Sequence, residues 1–285
     1  MRPILITILA LLTLAGCDAS SGIGGLTPSS ADMVRARDLF VRVQQRDAGA
    51  VAELEQRAGK ANVAAAFYAG LANDPAVIKG GDAARAAGFY QSASRSSAGA
   101  KHNLALLILK GVVRSEQDAG LAVNLLTEAA QKDRLESMLM LASLYENGWP
   151  GVERNPALAA EWYERAMNFS NDPRAVARLG AAYQEGSGRP RDLVQAETFL
   201  EAAAKAGVAE AQFRMARTVR EPLQVAQWLT IAAMTDARYQ QPAREALNAL
   251  SAQDQMRVKT NAELWLHAHD RRQDLVSYTS PVMEP

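Results

Sequence analysis

Few side chains in this sequence could do chemistry, and their spacing argues against most of it. Cys17 is the single cysteine, which excludes an intrachain disulfide and any multi-thiolate metal site. His267-Ala268-His269-Asp270 has the residue types of a metal site. Positions two apart on a helix face different ways, so the group reads as a solvated helix end, where a cationic ring suits the dipole. His102, the remaining histidine, stands alone. Glu185-Gly186-Ser187-Gly188 lacks the Gly-x-Ser-x-Gly elbow of a serine nucleophile. No glycine-rich phosphate loop follows an apolar strand, and the acidic residues are dispersed rather than paired for general acid–base work. Asn168-Phe169-Ser170 fits a glycosylation sequon by pattern alone. The expectation is therefore no enzyme: no catalytic residue, no metal and no cofactor. With 31 basic against 31 acidic side chains, no field of one sign exists to attract nucleic acid or an anionic bilayer.

The position of Cys17 carries more than its number. Met1-Arg2 supplies a positive charge, and Ile4 to Leu14 follow without a charged residue. Eleven helical residues reach roughly 17 Å, about half of a ~30 Å hydrocarbon core, so this is a signal-peptide core rather than a span. It ends in Leu14-Ala15-Gly16-Cys17, which resembles the lipobox of bacterial lipoproteins. The resemblance implies that residues 1–16 are removed and that the Cys17 thiol carries a diacylglycerol. More than one acyl chain then gives stable anchoring. Asp18 after that cysteine resembles an inner-membrane retention signal of enteric bacteria, although the scaffolds discussed below favour the outer membrane. Residues 17–31 are small and aperiodic and read as a tether of about 20 Å.

The elements that follow are periodic. Small, two residues, large apolar, three residues, Ala recurs as Ala86/Phe89/Ala93, Ala122/Leu125/Ala129, Ala159/Trp162/Ala166, Ala196/Phe199/Ala203 and Val225/Trp228/Ala232. The large positions lie 36, 37, 37 and 29 residues apart, and offsets of 0, 3 and 7 share one helical face. Trp162 and Trp228 thus read as repeat core. Asp82, Asp118, Asn155 and Asp192 stand four residues before the small positions, as N-caps. Pro156 suits a first helical position, and Glu221-Pro222 opens the fifth, shortened unit. A second marker, in the preceding helix, is Tyr68-Ala69, Leu104-Ala105, Leu141-Ala142, Leu179-Gly180 and Met215-Ala216. Gly111, Gly148 and Gly186 follow seven residues after three of these, as left-handed helix ends. Each unit is helix, glycine turn, capped helix.

These units resemble Sel-one-like repeats, relatives of tetratricopeptide repeats. Leu141 to Gly148 with Ala159 to Ala166, and Leu179 to Gly188 with Ala196 to Ala203, carry the likeness best. It extends well over 100–240 and loosely over 62–99, where Asn73 to Gly81 lacks the usual glycine turn. Residues 31–58 read as a further degenerate pair. The resemblance implies an all-α fold, a right-handed α-solenoid of stacked helix pairs with a concave protein-binding side. The expected order is signal peptide 1–16, lipidated tether 17–31, solenoid 32–241, capping helices 242–270 and flexible tail 271–285. Within the cap, Pro242 to Leu250 and Met256 to His267 read as two helices, the second opened by Ser251.

Lipidated proteins of this repeat class resemble the periplasmic scaffold of alginate secretion. That implies a periplasm-facing scaffold whose partners are other envelope proteins, for exopolysaccharide secretion or another envelope assembly. The alternative is a periplasmic regulator that binds and inhibits an enzyme or signalling protein. In tetratricopeptide-like solenoids, residues two before and two after the first-helix marker face the groove. Here they are Ala66, His102, Leu139, Ala177 and Phe213, then Gly70, Leu106, Ser143, Ala181 and Arg217. The candidate partner-binding residues are His102, Leu106, Leu139, Ser143, Phe213 and Arg217.

Overall fold

The computed structural model describes residues 30–113 and 118–273. The signal peptide, Cys17, most of the expected tether and the tail from residue 274 lie outside the described residues. The chain divides into two compact units, with the boundary in sequence between Arg154 and Asn155. Among the described residues all regular structure is helical, apart from an isolated bridge between Trp149 and Val152.

The first unit holds α1 (Ser30–Gln44), α2 (Ala48–Ala58), α3 (Val63–Asn73), α4 (Ala83–Ala93), α5 (Ala98–Leu109), α6 (Asp118–Ala130) and α7 (Leu135–Asn147). The second holds α8 (Pro156–Ser170), α9 (Pro173–Glu185), α10 (Leu193–Lys205), α11 (Ala209–Ala216), α12 (Pro222–Thr235), α13 (Gln240–Asn248) and α14 (Ala252–Gln273). A 3₁₀ turn, Ala237–Tyr239, precedes α13. Helix thus begins at Ser30 and Ala31, inside the stretch read as tether, and α14 carries helix three residues past position 270.

The caps lie where the spacing puts them. Asp82 accepts from the amides of Ala84 and Arg85, Asn155 from Leu158, and Asp192 from Val194 and Gln195. Asp118 is the first residue of α6. First-turn amides otherwise lack partners, so each cap satisfies donors that burial would leave unpaired. Asn62, Ser97 and Asp172 cap α3, α5 and α9 in the same way, a set the sequence reading did not identify. Gly111, Gly148 and Gly186 all have positive φ, at 71°, 76° and 73°. Gly186 is left-handed at the end of α9, and its amide donates to the Ala182 carbonyl. Ser251 Oγ accepts from the Asp254 amide at 3.2 Å and opens α14.

The first-helix markers are core. Tyr68, Ala69, Leu104, Ala105, Leu141, Ala142, Leu179, Met215 and Ala216 are all buried. In the second helices the small and Ala positions are buried as expected, except that Val225 is only partly so. The large position needs correcting by one residue. Phe89, Leu125, Trp162, Phe199 and Trp228 are partly buried, whereas Tyr90, Leu126, Tyr163, Leu200 and Leu229, one step on, are buried. Offsets of 0, 4 and 7 still share a face, shifted towards the partner helix. The outer aromatics cover its edge: Trp162 lies under the Arg165 guanidinium at 4.8 Å, and Phe199 stacks on Tyr183 at 5.8 Å. Small residues set the spacing. A Cβ on Gly180 would lie 2.8 Å from Leu200 Cγ, so α9 and α10 approach more closely there than any side chain would allow.

Candidate partner-binding surface

The six residues proposed from sequence do not form one open groove. His102 and Leu106 are buried on α5, with 6% and 8% exposure, and so are Ala66, Gly70, Ala177 and Ala181 of the same two sets. Leu139 and Ser143 are partly exposed on α7. Phe213 is partly buried, stacked on Tyr239 with ring centroids 4.8 Å apart, and packed on the cluster of Ala216, Leu229 and Ala243. Arg217, at the end of α11, is exposed.

The reason is a rotation of register. A Cβ on Gly70 would lie 2.4 Å from Tyr90 Cε1, so the face two residues after the marker meets the second helix of its own pair. On the other side, His102 Nδ1 lies 2.9 Å from Ser137 Oγ on α7, so the earlier set meets the next first helix. Both sets are rich in Ala and Gly, which lets helices close over them. In each unit the partly exposed position is one residue before the marker: Phe67, Asn103 and Met140 in the first, Arg178 and Arg214 in the second. One residue is about 100° of helix.

These positions have different chemistry in the two units. In the second, Arg178 reaches Glu210 at 3.3 Å, and Arg214 contacts Glu210 at 3.1 Å, Glu185 at 2.7 Å and the Gln184 side chain at 3.0 Å. An ionic lattice thus ties α9 to α11 at the surface, where each pair is worth little and mainly fixes geometry. In the first unit these positions are less charged. Phe67 packs edge-on against Tyr68, and the Asn103 side chain hydrogen-bonds Tyr90. The Tyr90 hydroxyl donates to Asp74 at 3.1 Å, and burial, then the Asp74 carboxylate, raises its pKa well above the ordinary tyrosine range. Glu55 joins α2, α3 and α4 by accepting from Asn73 at 3.0 Å and Arg85 at 2.7 Å.

The loops between paired helices follow a shared device that was also missed. Arg154 Nε donates to the Glu146 carbonyl at 3.0 Å, and Arg191 Nε to the Gln184 carbonyl at 3.1 Å. Each guanidinium returns to the negative end of the first helix. The spacing of these arginines, 37 residues, equals the repeat and could have revealed them. Among the described residues no group of three or more His, Cys, Asp or Glu is placed to hold a metal, and no helix is long and apolar enough to cross a membrane. His267 is exposed on α14.

Comparison with known proteins agrees with this architecture. The Sel1 repeat model matches residues 98–133, 135–167 and 173–208, which hold α5 and α6, α7 and most of α8, and α9 and α10. Sel1 repeats generally mediate protein–protein interaction rather than catalysis. A Sel1 repeat protein from Oxalobacter formigenes is similar in structure at 24% identity and a TM-score of 0.62, over 72% of this chain and 85% of that one. A protective antigen present in uropathogenic Escherichia coli strains, displaying an SLR fold, is similar at 16% identity and a TM-score of 0.53. That match covers 89% of this chain, which spans 66% of the antigen's length. At such identities the likeness speaks for the fold alone: an all-α repeat fold of helix pairs. No curated protein matches the chain.

Proposed function

We propose that the chain is a lipid-anchored, periplasm-facing scaffold that holds envelope proteins together and catalyses nothing. The observation that carries the scaffold reading is the run of Sel1 repeats over 98–208, built as capped helix pairs with Asn103, Met140 and Arg178 partly exposed one residue before their first-helix markers. In the first unit these positions offer a partner polar and apolar contacts through Asn103, Leu139 and Met140, and in the second they offer ionic contacts through Arg178 and Arg214. Partners would be recognised by matching charge and one apolar anchor rather than by a deep pocket.

Anchoring rests on Leu14-Ala15-Gly16-Cys17. Acylated at Cys17, the body would be held at the membrane by a short tether. Exopolysaccharide export and other envelope assemblies are the settings in which a scaffold so placed would act. Cells fed a labelled fatty acid should label the wild-type chain, and Cys17→Ser should lose both label and membrane fractionation. Label retained by Cys17→Ser would overturn the anchor. A labelled, membrane-bound wild type that binds no envelope protein would overturn the scaffold.

A further inference from the structure

In the first unit a side-chain tie between successive first helices is buried and neutral, where the second unit uses partly exposed ion pairs. His102 of α5 and Ser137 of α7 lie 2.9 Å apart, and they are 6% and 0% exposed. Arg134, the residue before α7, reaches back over the first turn of α5: its Nη1 is 3.7 Å from the position of a Cβ on Gly99. Its Nε lies 3.3 Å from Glu136 but makes no hydrogen bond. A proton on the His102 ring would therefore be buried beside an existing cation.

The other charged groups around α5 are already engaged. Lys101 on α5 itself pairs with Glu128 of α6. Glu136 of α7 faces Arg134, and Asp74, after α3, accepts from Tyr90 of α4. Glu55, reaching α4 from α2, is held by Arg85. Glu136, adjacent in sequence to Ser137, is already paired with the Arg134 guanidinium. Burial, then the Arg134 charge, lowers the His102 pKa from its ordinary value to about 3.

We propose that the joint between α5 and α7 is acid-released: protonation of His102 separates the two helices and uncovers the buried face that His102 shares with Leu106. A repeat stack permits this, because each helix pair is held by its neighbours and one joint can open without global unfolding. The sign follows from linkage. The closed joint holds His102 neutral down to about pH 3, whereas an opened one binds a proton near pH 6.5. Stability of the joint is complete above pH 6.5 and is lost as pH falls through that window. The open population should rise about 10-fold by pH 5.5 and about 100-fold by pH 4.5. The inference does not depend on the scaffold reading, although it supplies that scaffold with an acid-gated surface.

Hydrogen exchange of the full chain, read by mass spectrometry from pH 7.5 to 4.5 and corrected for intrinsic rates, tests it. Peptides of α5 and α7 should lose about 100-fold in protection relative to peptides of α9 and α10. His102→Gln, which keeps a hydrogen-bonding group opposite Ser137, should abolish the difference. Flat wild-type protection, or the same loss in His102→Gln, overturns the proposal. Should the variant fail to fold, the ring itself serves: in histidine-labelled wild type, His102 must stay neutral wherever α5 remains protected. Titration near pH 6.5 without loss of protection would also overturn it.

Discussion

Gly188→Ala, set against Gly111→Ala, measures how firmly the repeat loops are seated. The two glycines have nearly the same backbone angle, φ 74° and 71°, so an alanine suffers the same left-handed penalty at each, about 1 kcal/mol. Their surroundings differ. At Gly111 an added Cβ meets no atom of the described residues within 4 Å. At Gly188 it would stand 2.1 Å from the Pro156 carbonyl oxygen and 2.8 Å from the Ala157 nitrogen. Those are backbone atoms of the first turn of α8, which cannot rotate away. The loop must lift by about 1 Å, which forfeits much of its dispersion contact and strains the ion pair of Arg189 with Glu164, now 2.7 Å. We expect about 1 kcal/mol for Gly111→Ala and at least ~3 kcal/mol for Gly188→Ala. For a chain of this size that is about 2–4 °C against about 6–12 °C in melting temperature. Circular dichroism melts at matched protein concentration give the comparison. Equal shifts would refute the seated loop.

Other expectations follow from the same geometry. Leu126→Ala, at a fully buried position, should cost about 3–5 kcal/mol in urea denaturation. Asp192→Ala should cost about 1 kcal/mol through loss of its bonds to the Val194 and Gln195 amides, and a larger loss than Leu126→Ala would mean the helix register is misplaced. Phe213→Glu should lower the melting temperature by several degrees, because the ring is stacked on Tyr239, and an unchanged melt would restore it to an open groove. Arg178→Ala should change stability by under about 1 kcal/mol, since its pair with Glu210 is surface-screened, and raising salt should shrink even that difference.

Much of the fold was legible because the repeat punctuates itself. Asp82, Asn155 and Asp192 cap helices and Gly186 ends one for local reasons that need no knowledge of neighbours. The outward face was misread because it depends on neighbours. Ala177 and Ala181 do not differ in kind from the partly exposed Ala182; only what stands opposite separates them. Spacing placed Trp162 in the core, yet the buried ring is Tyr163, since a helix offset of 3 or 4 fits the pattern equally well. One signal was available and unused. Ala98 to Leu109 is apolar over most of its circumference, and such a helix is buried over most of its surface, which would have withdrawn His102 and Leu106 from the groove. The tie from His102 to Ser137, 35 residues away, had no sequence signature.

The most direct test of the scaffold uses photoreactive residues at single positions in intact cells. Met140, Arg178 and Arg214 should each yield a discrete adduct with an envelope protein, and Leu106 should yield none at neutral pH. Adducts arising instead from the exposed second-helix positions Glu161 and Glu197, or none from those three positions, would contradict the account.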